Sequence, residues 1–122
     1  MKKFRFENLE IWQRAVEVAR KLFRLADILE ENKLYRFADQ LRGAGISMPN
    51  NIAEGSGSTS KKEFVQFLNI ARRSTFENAS MILVFAKDNL ISEDMKSEIV
   101  QDLDELCRMI TSFSRSLKIS KV

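Results

Sequence analysis

The sequence predicts an all-α protein, an antiparallel up-down-up-down four-helix bundle formed by a single domain over residues 1–122. Three observations lead to this prediction. Apolar residues recur at three- and four-residue spacing through four long stretches, which is typical of amphipathic helices. The connections between these stretches are short, so consecutive helices are expected to pack antiparallel. No run alternates apolar and polar residues for long enough to compete as a strand.

The first helix is expected over about residues 9–30. Asn8 is its predicted N-cap, because a short polar side chain at that position accepts a hydrogen bond from an unpaired backbone amide. The predicted apolar face contains residues at helical spacing: Trp12, Ala15, Val16, Ala19, Leu22, Phe23 and Ala26.

The second helix, over about residues 33–55, contains the only proline of the chain, Pro49. Pro49 removes one backbone hydrogen bond and directs its ring toward the carbonyl of Gly45. Because Gly45 has no side chain, we expect the backbone to bend aside there, giving a kinked helix that continues through Pro49 and ends at Gly55. The predicted buried face is Leu41, Ala44, Met48, Ile52 and Gly55.

The third helix is expected over about residues 61–88 and the fourth over about 93–118. Ser60 stands three residues before Glu63, the spacing of a capping box. Ser92 precedes the fourth helix, and acidic residues follow it where the helix dipole favours negative charge. The predicted buried residues are Phe64, Phe67, Leu68, Ala71, Thr75, Ile82, Phe85 and Ala86, and then Met95, Ile99, Leu103, Leu106, Ile110, Phe113 and Leu117.

Composition argues against several function classes. The sequence contains no histidine, the commonest general base and metal ligand. We therefore predict a non-enzymatic protein with no metal site and no cofactor. The single cysteine, Cys107, lies beside the apolar stripe of the fourth helix, where no histidine activates it.

No apolar run is long enough to span a bilayer, and no apolar segment follows the basic start, so we expect no membrane association and a cytoplasmic location.

Four segments of the sequence resemble one protein family. They are residues 8–13 (NLEIWQ), 40–42 (QLR), 46–55 (ISMPNNIAEG) and 62–72 (KEFVQFLNIAR). In this order they resemble the 23S rRNA intervening-sequence proteins, also called four helix bundle proteins or the S23 ribosomal protein family. The resemblance implies an antiparallel four-helix bundle that forms a homo-oligomer, typically a pentameric ring. It also implies an origin, in many members, from an insert within a ribosomal RNA gene.

Charge placement gives a further indication of function. The formal net charge of +3 is small, but an up-down bundle brings the chain start, the turn between the second and third helices, and the chain end to one pole. We expect this basic pole to bind nucleic acid by displacing counterions from the phosphates. Its residues are Lys2, Lys3, Arg5, Lys61, Lys62, Arg115, Lys118 and Lys121; the opposite pole receives Asp27, Glu30, Glu31, Asp88, Glu93, Asp94 and Glu98.

A polar flank of the second helix is a candidate subunit interface, with a solvated surface as the alternative. It consists of Arg36, Gln40, Ser47, Asn51 and Glu54.

The turn from Gly55 to Ser60, followed by Lys61 and Lys62, is a candidate anion site, although an ordinary capped turn is the simpler interpretation. Glu54 and Glu77 are interpreted as polar contacts rather than acid–base groups, and Trp12 as a core residue.

Two hypotheses about function follow. The first is an RNA-associated protein that contacts phosphates without reading sequence. The alternative is a homo-oligomeric scaffold or accessory subunit that binds a protein partner such as a reverse transcriptase, a role implied by similar proteins that accompany retroelement reverse transcriptases.

Overall fold

The structure, a computed structural model, describes residues 3–120 and contains no strand in that range. A 3₁₀ helix at Arg5–Asn8 precedes four α-helices: α1 (Glu10–Glu31), α2 (Tyr35–Ser56), α3 (Lys61–Lys87) and α4 (Glu93–Ile119). Each α-helix packs against the next one in the chain, and α1 also contacts α4. The predicted up-down-up-down four-helix bundle is confirmed.

The helix starts show which caps the sequence predicts correctly. The hydroxyl oxygens of Ser60 and Ser92 each accept a hydrogen bond from the backbone amide three residues later, at 3.1 Å. The prediction for Asn8 is wrong, because Asn8 ends the 3₁₀ helix and Leu9 takes the extended N-cap position without a side-chain bond. The 3₁₀ turn delays the start of α1 by one residue, so the cap position moves with it.

The two turns at the acidic end of the bundle have the same construction. Lys33 and Asn89 both adopt a left-handed conformation, with φ of 65° and 59°. The amide of Leu34 donates to the carbonyl of Leu29, and the amide of Leu90 donates to the carbonyl of Phe85, each at 2.9 Å. This pattern is a Schellman motif, which satisfies the last carbonyls of a helix. Both turns therefore close tightly without a glycine.

The core of α1 differs from the predicted face. Ile11, Val18, Leu25 and Leu29 are buried together with the predicted Ala15, Ala19, Leu22 and Ala26. Trp12, Val16 and Phe23 are only half-buried. Because α1 packs against two helices, the centre of its apolar arc is the heptad-like row from Ile11 to Leu29, and the aromatic residues lie at its edge. The predicted faces of α2 and α3 agree better with the structure: all five predicted α2 residues are buried, and of the predicted α3 residues Phe67 alone is half-buried. In α4, Met95, Phe113 and Leu117 are half-buried.

The glycines of α2 have different surroundings. The helix continues through the buried Pro49 and ends at Ser56, one residue beyond the predicted Gly55. A Cβ atom on Gly45 would lie 3.5 Å from Leu22 and Phe23, which is ordinary van der Waals contact. A Cβ atom on Gly55 would lie 2.7 Å from the Cβ of Phe67. The close approach of a neighbouring helix is therefore at Gly55, and Gly45 has room for a Cβ atom.

Polar side chains join α2 and α3 at mid-length. Asn78 is completely buried, and its Nδ2 donates to the carbonyls of Ala44 and Ser74, each at 2.8 Å. The hydroxyls of Ser47 and Ser74 lie 2.9 Å apart. Sequence periodicity predicted neither Ser74 nor Asn78 in the core, because polar residues do not contribute to an apolar stripe. Buried groups that are hydrogen-bonded in this way fix the helix register.

Ion pairs span the opposite side of the bundle, between α1 and α4. Asp102 binds Arg14 at 3.0 Å and Lys21 at 2.6 Å, and its side chain is only 14% exposed. The hydrogen bond to Asp102 is the main cause of the raised pKa of Lys21. Because the pKa is raised in the folded state, the stabilisation is present at neutral pH and is lost only as the pH rises above the ordinary value of 10.5.

The contrast between the glycines gives a first prediction. Gly55→Ala should lower the free energy of unfolding by about 1–3 kcal/mol, because the added methyl group overlaps Phe67 and Phe64. Gly43→Ala is the matched control: nothing lies within 4 Å of its added Cβ, so replacing an exposed helical glycine should stabilise the protein by about 0.4–1 kcal/mol. Urea unfolding monitored by circular dichroism measures both free energies of unfolding. Equal effects of the two substitutions would contradict the close packing of α3 against Gly55.

A second prediction concerns the α1–α4 ion pairs. Asp102→Asn should lower the free energy of unfolding by about 1–2 kcal/mol, since it leaves two half-buried cations with weaker partners. Asp104→Asn, on the same helix, removes only an exposed pair with Arg108 and should change stability by less than about 0.5 kcal/mol. The same unfolding assay compares the two variants; an Asp102 variant as stable as the Asp104 variant would refute the role given to the buried carboxylate.

Candidate nucleic-acid interface

Three chain segments meet at the end of the bundle where α3 begins. The Nζ of Lys61 donates to the carbonyl of Ser120 at 2.7 Å, which joins the start of α3 to the end of α4. The Phe64 and Phe113 rings meet edge to face with centroids 5.7 Å apart. Arg5 donates to the carbonyl of Ser56. The antiparallel topology thus brings sequence-distant cations together, and we call Lys3, Arg5, Lys61 and Lys62 the basic end.

The members of the predicted basic pole occupy different positions. Lys3 and Lys62 are exposed at the basic end. Arg5 also lies over the Phe64 ring, 5.6 Å from its centroid, so Arg5 and Lys61 contribute to packing and to closing the bundle. Arg115 and Lys118 line a groove between α3 and α4. Lys2 and Lys121 lie outside the described residues.

The cationic groove has a volume of about 480 Å³ and includes one cation that the sequence analysis missed, Arg72. Arg72 lies eleven residues after Lys61, or about three helical turns away from the basic end. The predicted pole was assembled from cations near chain ends and turns, so it omitted Arg72. The α3 wall of the groove contributes Gln66, Asn69 and Arg72, and the α4 wall contributes Thr111, Ser114, Arg115 and Lys118.

The cations of the protein fall into paired and unpaired sets. Arg14, Lys21 and Arg42 each bind two or more carboxylates, and Lys96 and Arg108 each bind one. Among residues 3–120, no carboxylate forms an ion pair with Arg72, Arg115 or Lys118. No carboxylate lines the cationic groove either. Within residues 3–120, the charges of these three cations are therefore not neutralised by an ion pair.

The turn before α3 has the geometry of a capped helix start. The amide of Gly57 donates to the carbonyl of Glu54, and the amide of Ser58 donates to that of Gly55. Ser60 caps α3. A pocket of about 470 Å³ beside the turn is lined by Arg5, Ser58, Lys61 and neighbouring residues. Anion binding in this turn stays a prediction.

The predicted subunit flank divides into internal and external residues. Asn51 donates to the Ser47 carbonyl at 2.8 Å, and Ser47 contacts Ser74 of α3. Ser47 therefore joins α2 to α3, and Asn51 bonds within α2. Arg36, Gln40 and Glu54 are exposed. Each of the two helices also carries an exposed isoleucine, Ile46 on α2 and Ile70 on α3.

The remaining candidates show no clustering of reactive groups. Glu54 and Glu77 are exposed. Cys107 is half-buried, beside an apolar hollow between α3 and α4. In the described part of the chain, no group of three or more Asp, Glu or Cys side chains is arranged to hold a metal ion. None of its helices combines the length and the apolar character needed to cross a membrane.

The fold and this geometry define the chain as a four-helix-bundle protein with unpaired cations at one end and in an adjoining groove. It belongs to the 23S rRNA-intervening sequence protein family, whose model matches residues 7–112. Its structure is similar to that of a protein of unknown function from the S23 ribosomal protein family of Bacteroides thetaiotaomicron. That similarity has a TM-score of 0.82 at 23% identity, over 85% of this chain and 97% of the other. No curated protein sequence matches the chain.

Proposed function

We propose that the protein is a non-enzymatic RNA-associated bundle protein whose basic end contacts phosphates without reading sequence. The observation that carries the proposal is the meeting of Lys3, Arg5, Lys61 and Lys62 at one end of the bundle, beside a groove with three unpaired cations. Phosphate contacts of this kind position a nucleic acid but carry no sequence information. The family description, which refers to an insertion in ribosomal RNA, favours RNA over other polyanions.

The carboxylates at the same end do not neutralise these cations. The carboxylate of Glu7 accepts a hydrogen bond from the amide of Phe4. Within residues 3–120, Glu7, Glu10, Glu54 and Glu63 form no ion pair. A phosphate group therefore meets accessible ammonium groups at Lys3 and Lys62, at low desolvation cost.

A third prediction tests the basic end. Replacing Lys3, Lys61 and Lys62 by Gln should weaken binding to unrelated RNA sequences by similar factors. It should also reduce the slope of log affinity against log salt by up to about 2, since each phosphate contact to a single strand contributes about 0.7. Filter-binding titrations at several salt concentrations measure both quantities.

The control changes net charge equally at the opposite end. Replacing Lys33, Lys87 and Lys96 by Gln removes three positive charges near the acidic turns and should alter binding little. Equal losses in both variants would show that only net charge matters. No binding by the unmodified protein at low salt would overturn the RNA proposal.

A homo-oligomeric scaffold is a second candidate, supported by apolar surface on the α2–α3 side. Ile46 on α2 and Ile70 on α3 are each 43% exposed, and α2 also carries the exposed Arg36, Gln40 and Glu54 of the predicted flank. Subunit association would remove these side chains from water. The same surface also suits a protein partner, in which case both functions coexist in one assembly.

A fourth prediction tests association through this surface. The unmodified protein should have a mass that is a multiple of 14.1 kDa in light scattering at micromolar concentration, and Ile46→Lys with Ile70→Lys should give the monomer. Ile119→Lys is the control, because Ile119 is 76% exposed at the end of α4, away from the flank. A monomeric unmodified protein would contradict the scaffold.

A further inference from the structure

One face of α3 and α4 combines unpaired cations with an exposed aromatic ring. The cationic groove adjoins an apolar hollow of about 430 Å³ between the same two helices. The two meet where the guanidinium carbon of Arg72 lies 5.2 Å from the centroid of the Phe76 ring. The apolar lining of the hollow comes mainly from Phe76, Ala79, Leu83, Val84, Val100 and Leu103.

Arg72 is held in position by contacts on two sides. Its Nε donates to the hydroxyl of Thr111 on α4 at 3.1 Å, and this hydroxyl donates in turn to the carbonyl of Cys107 at 2.9 Å. The Phe76 ring supports the guanidinium from the other side. Neither contact uses the two terminal nitrogens of the guanidinium, which are the donors suited to a bidentate bond with phosphate. Arg72 is therefore fixed in place while its phosphate-binding edge is available.

Phe76 is an exposed aromatic residue in the middle of α3. The residue is 59% exposed and lines the same hollow as the buried Leu103. A ring in contact with an arginine forms a flat surface on which a nucleobase can stack, since bases stack on both aromatic rings and guanidinium planes. Stacking of this kind requires an unpaired base, because bases in a duplex already stack on each other.

We propose that the α3–α4 face binds single-stranded RNA, with phosphates on Arg72, Arg115 and Lys118 and a base stacked against Phe76. This inference rests on the proposed function and adds the form of RNA and its path. Gln66 and Asn69 in the cationic groove offer both donors and acceptors, as sugar hydroxyls and base edges require. The path leads from the basic end along the groove to Phe76.

The charge pattern favours RNA over an acidic protein segment as the occupant. A peptide of acidic residues alone satisfies the three cations but offers no planar ring to Phe76. RNA supplies phosphates and π-faces from one strand, and the cationic groove and the ring lie next to each other on the α3–α4 face. Both features of the face are then used by one ligand.

The test measures fluorescence anisotropy of a labelled 12-nucleotide uridine strand and of a 12-base-pair RNA duplex. Phe76→Ala should weaken binding of the strand by about 5- to 150-fold, the range for loss of one stacked base, with a much smaller effect on the duplex. Tyr35→Ala is the matched control, because Tyr35 is a similarly exposed ring (58%) at the start of α2, outside the α3–α4 face, and it should leave binding unchanged. Circular dichroism melting checks that each variant folds.

Variants of the three groove cations test whether the RNA phosphates bind there. Replacing Arg72, Arg115 and Lys118 by Gln should flatten the salt dependence of strand binding by up to about 2 in log–log slope. Arg72→Lys, which keeps the charge but loses the planar fork, should recover only part of the affinity.

The outcomes separate this inference from the proposed function. If the unmodified protein binds the strand but the groove and Phe76 variants bind as well as the Lys33, Lys87 and Lys96 control, the α3–α4 path is wrong and the basic end alone binds RNA. If the unmodified protein binds neither RNA, the proposed function itself fails. Tighter binding to the duplex than to the strand overturns the stacking role. Displacement of the strand by polyglutamate as efficiently as by unlabelled RNA, at equal charge concentration, assigns the face to an acidic protein instead.

Discussion

The packing of α2 against α3 is the constraint on which the other features of the structure depend. It is fixed at three levels: Gly55 against Phe64 and Phe67 near the basic end, the buried hydrogen bonds of Asn78 at mid-length, and the Phe37–Phe85 ring contact near the acidic end. A shift in register would place a larger residue than Gly55 against the phenylalanine rings, and it would break the hydrogen bonds of Asn78. Both changes would cost free energy. The position of Phe64 in turn determines where Arg5 and Lys61 lie, so this packing also sets the geometry of the basic end.

The two sides of the bundle distribute charge in different ways. Between α1 and α4, cations are neutralised within the chain by Asp102, and they stabilise the fold. Between α3 and α4, Arg72 binds a neutral hydroxyl instead of a carboxylate, so this contact leaves its charge unneutralised. A neutral partner orients a guanidinium without reducing its attraction for phosphate. This difference separates structural cations from candidate binding cations more clearly than net charge does.

The sequence predicts the parts of the structure that depend on local physical chemistry. Helical periodicity and the Ser60 and Ser92 caps involve residues close together in the chain, and they locate all four helices. The prediction was weaker where distant residues decide the outcome: α1 presents Val18 and Leu25 to the core rather than Trp12 and Phe23, because it packs between two helices. The pairing of Arg72 with Thr111, and the tight contact at Gly55, likewise exist only after α3 has packed against its neighbours.

Acidic residues lie at the end of the molecule that contains the two Schellman turns, and the other end is basic. The distance between these ends affects how the protein meets a charged molecule. The helix α3 has 27 residues and is therefore about 40 Å long. At physiological salt, electrostatic attraction decays over about 8 Å. An approaching polyanion therefore responds to the local potential at one end and hardly at all to the acidic end. The small net charge of the chain therefore describes its surface poorly, because the potential beside the basic end is set by the charges within about 8 Å of it.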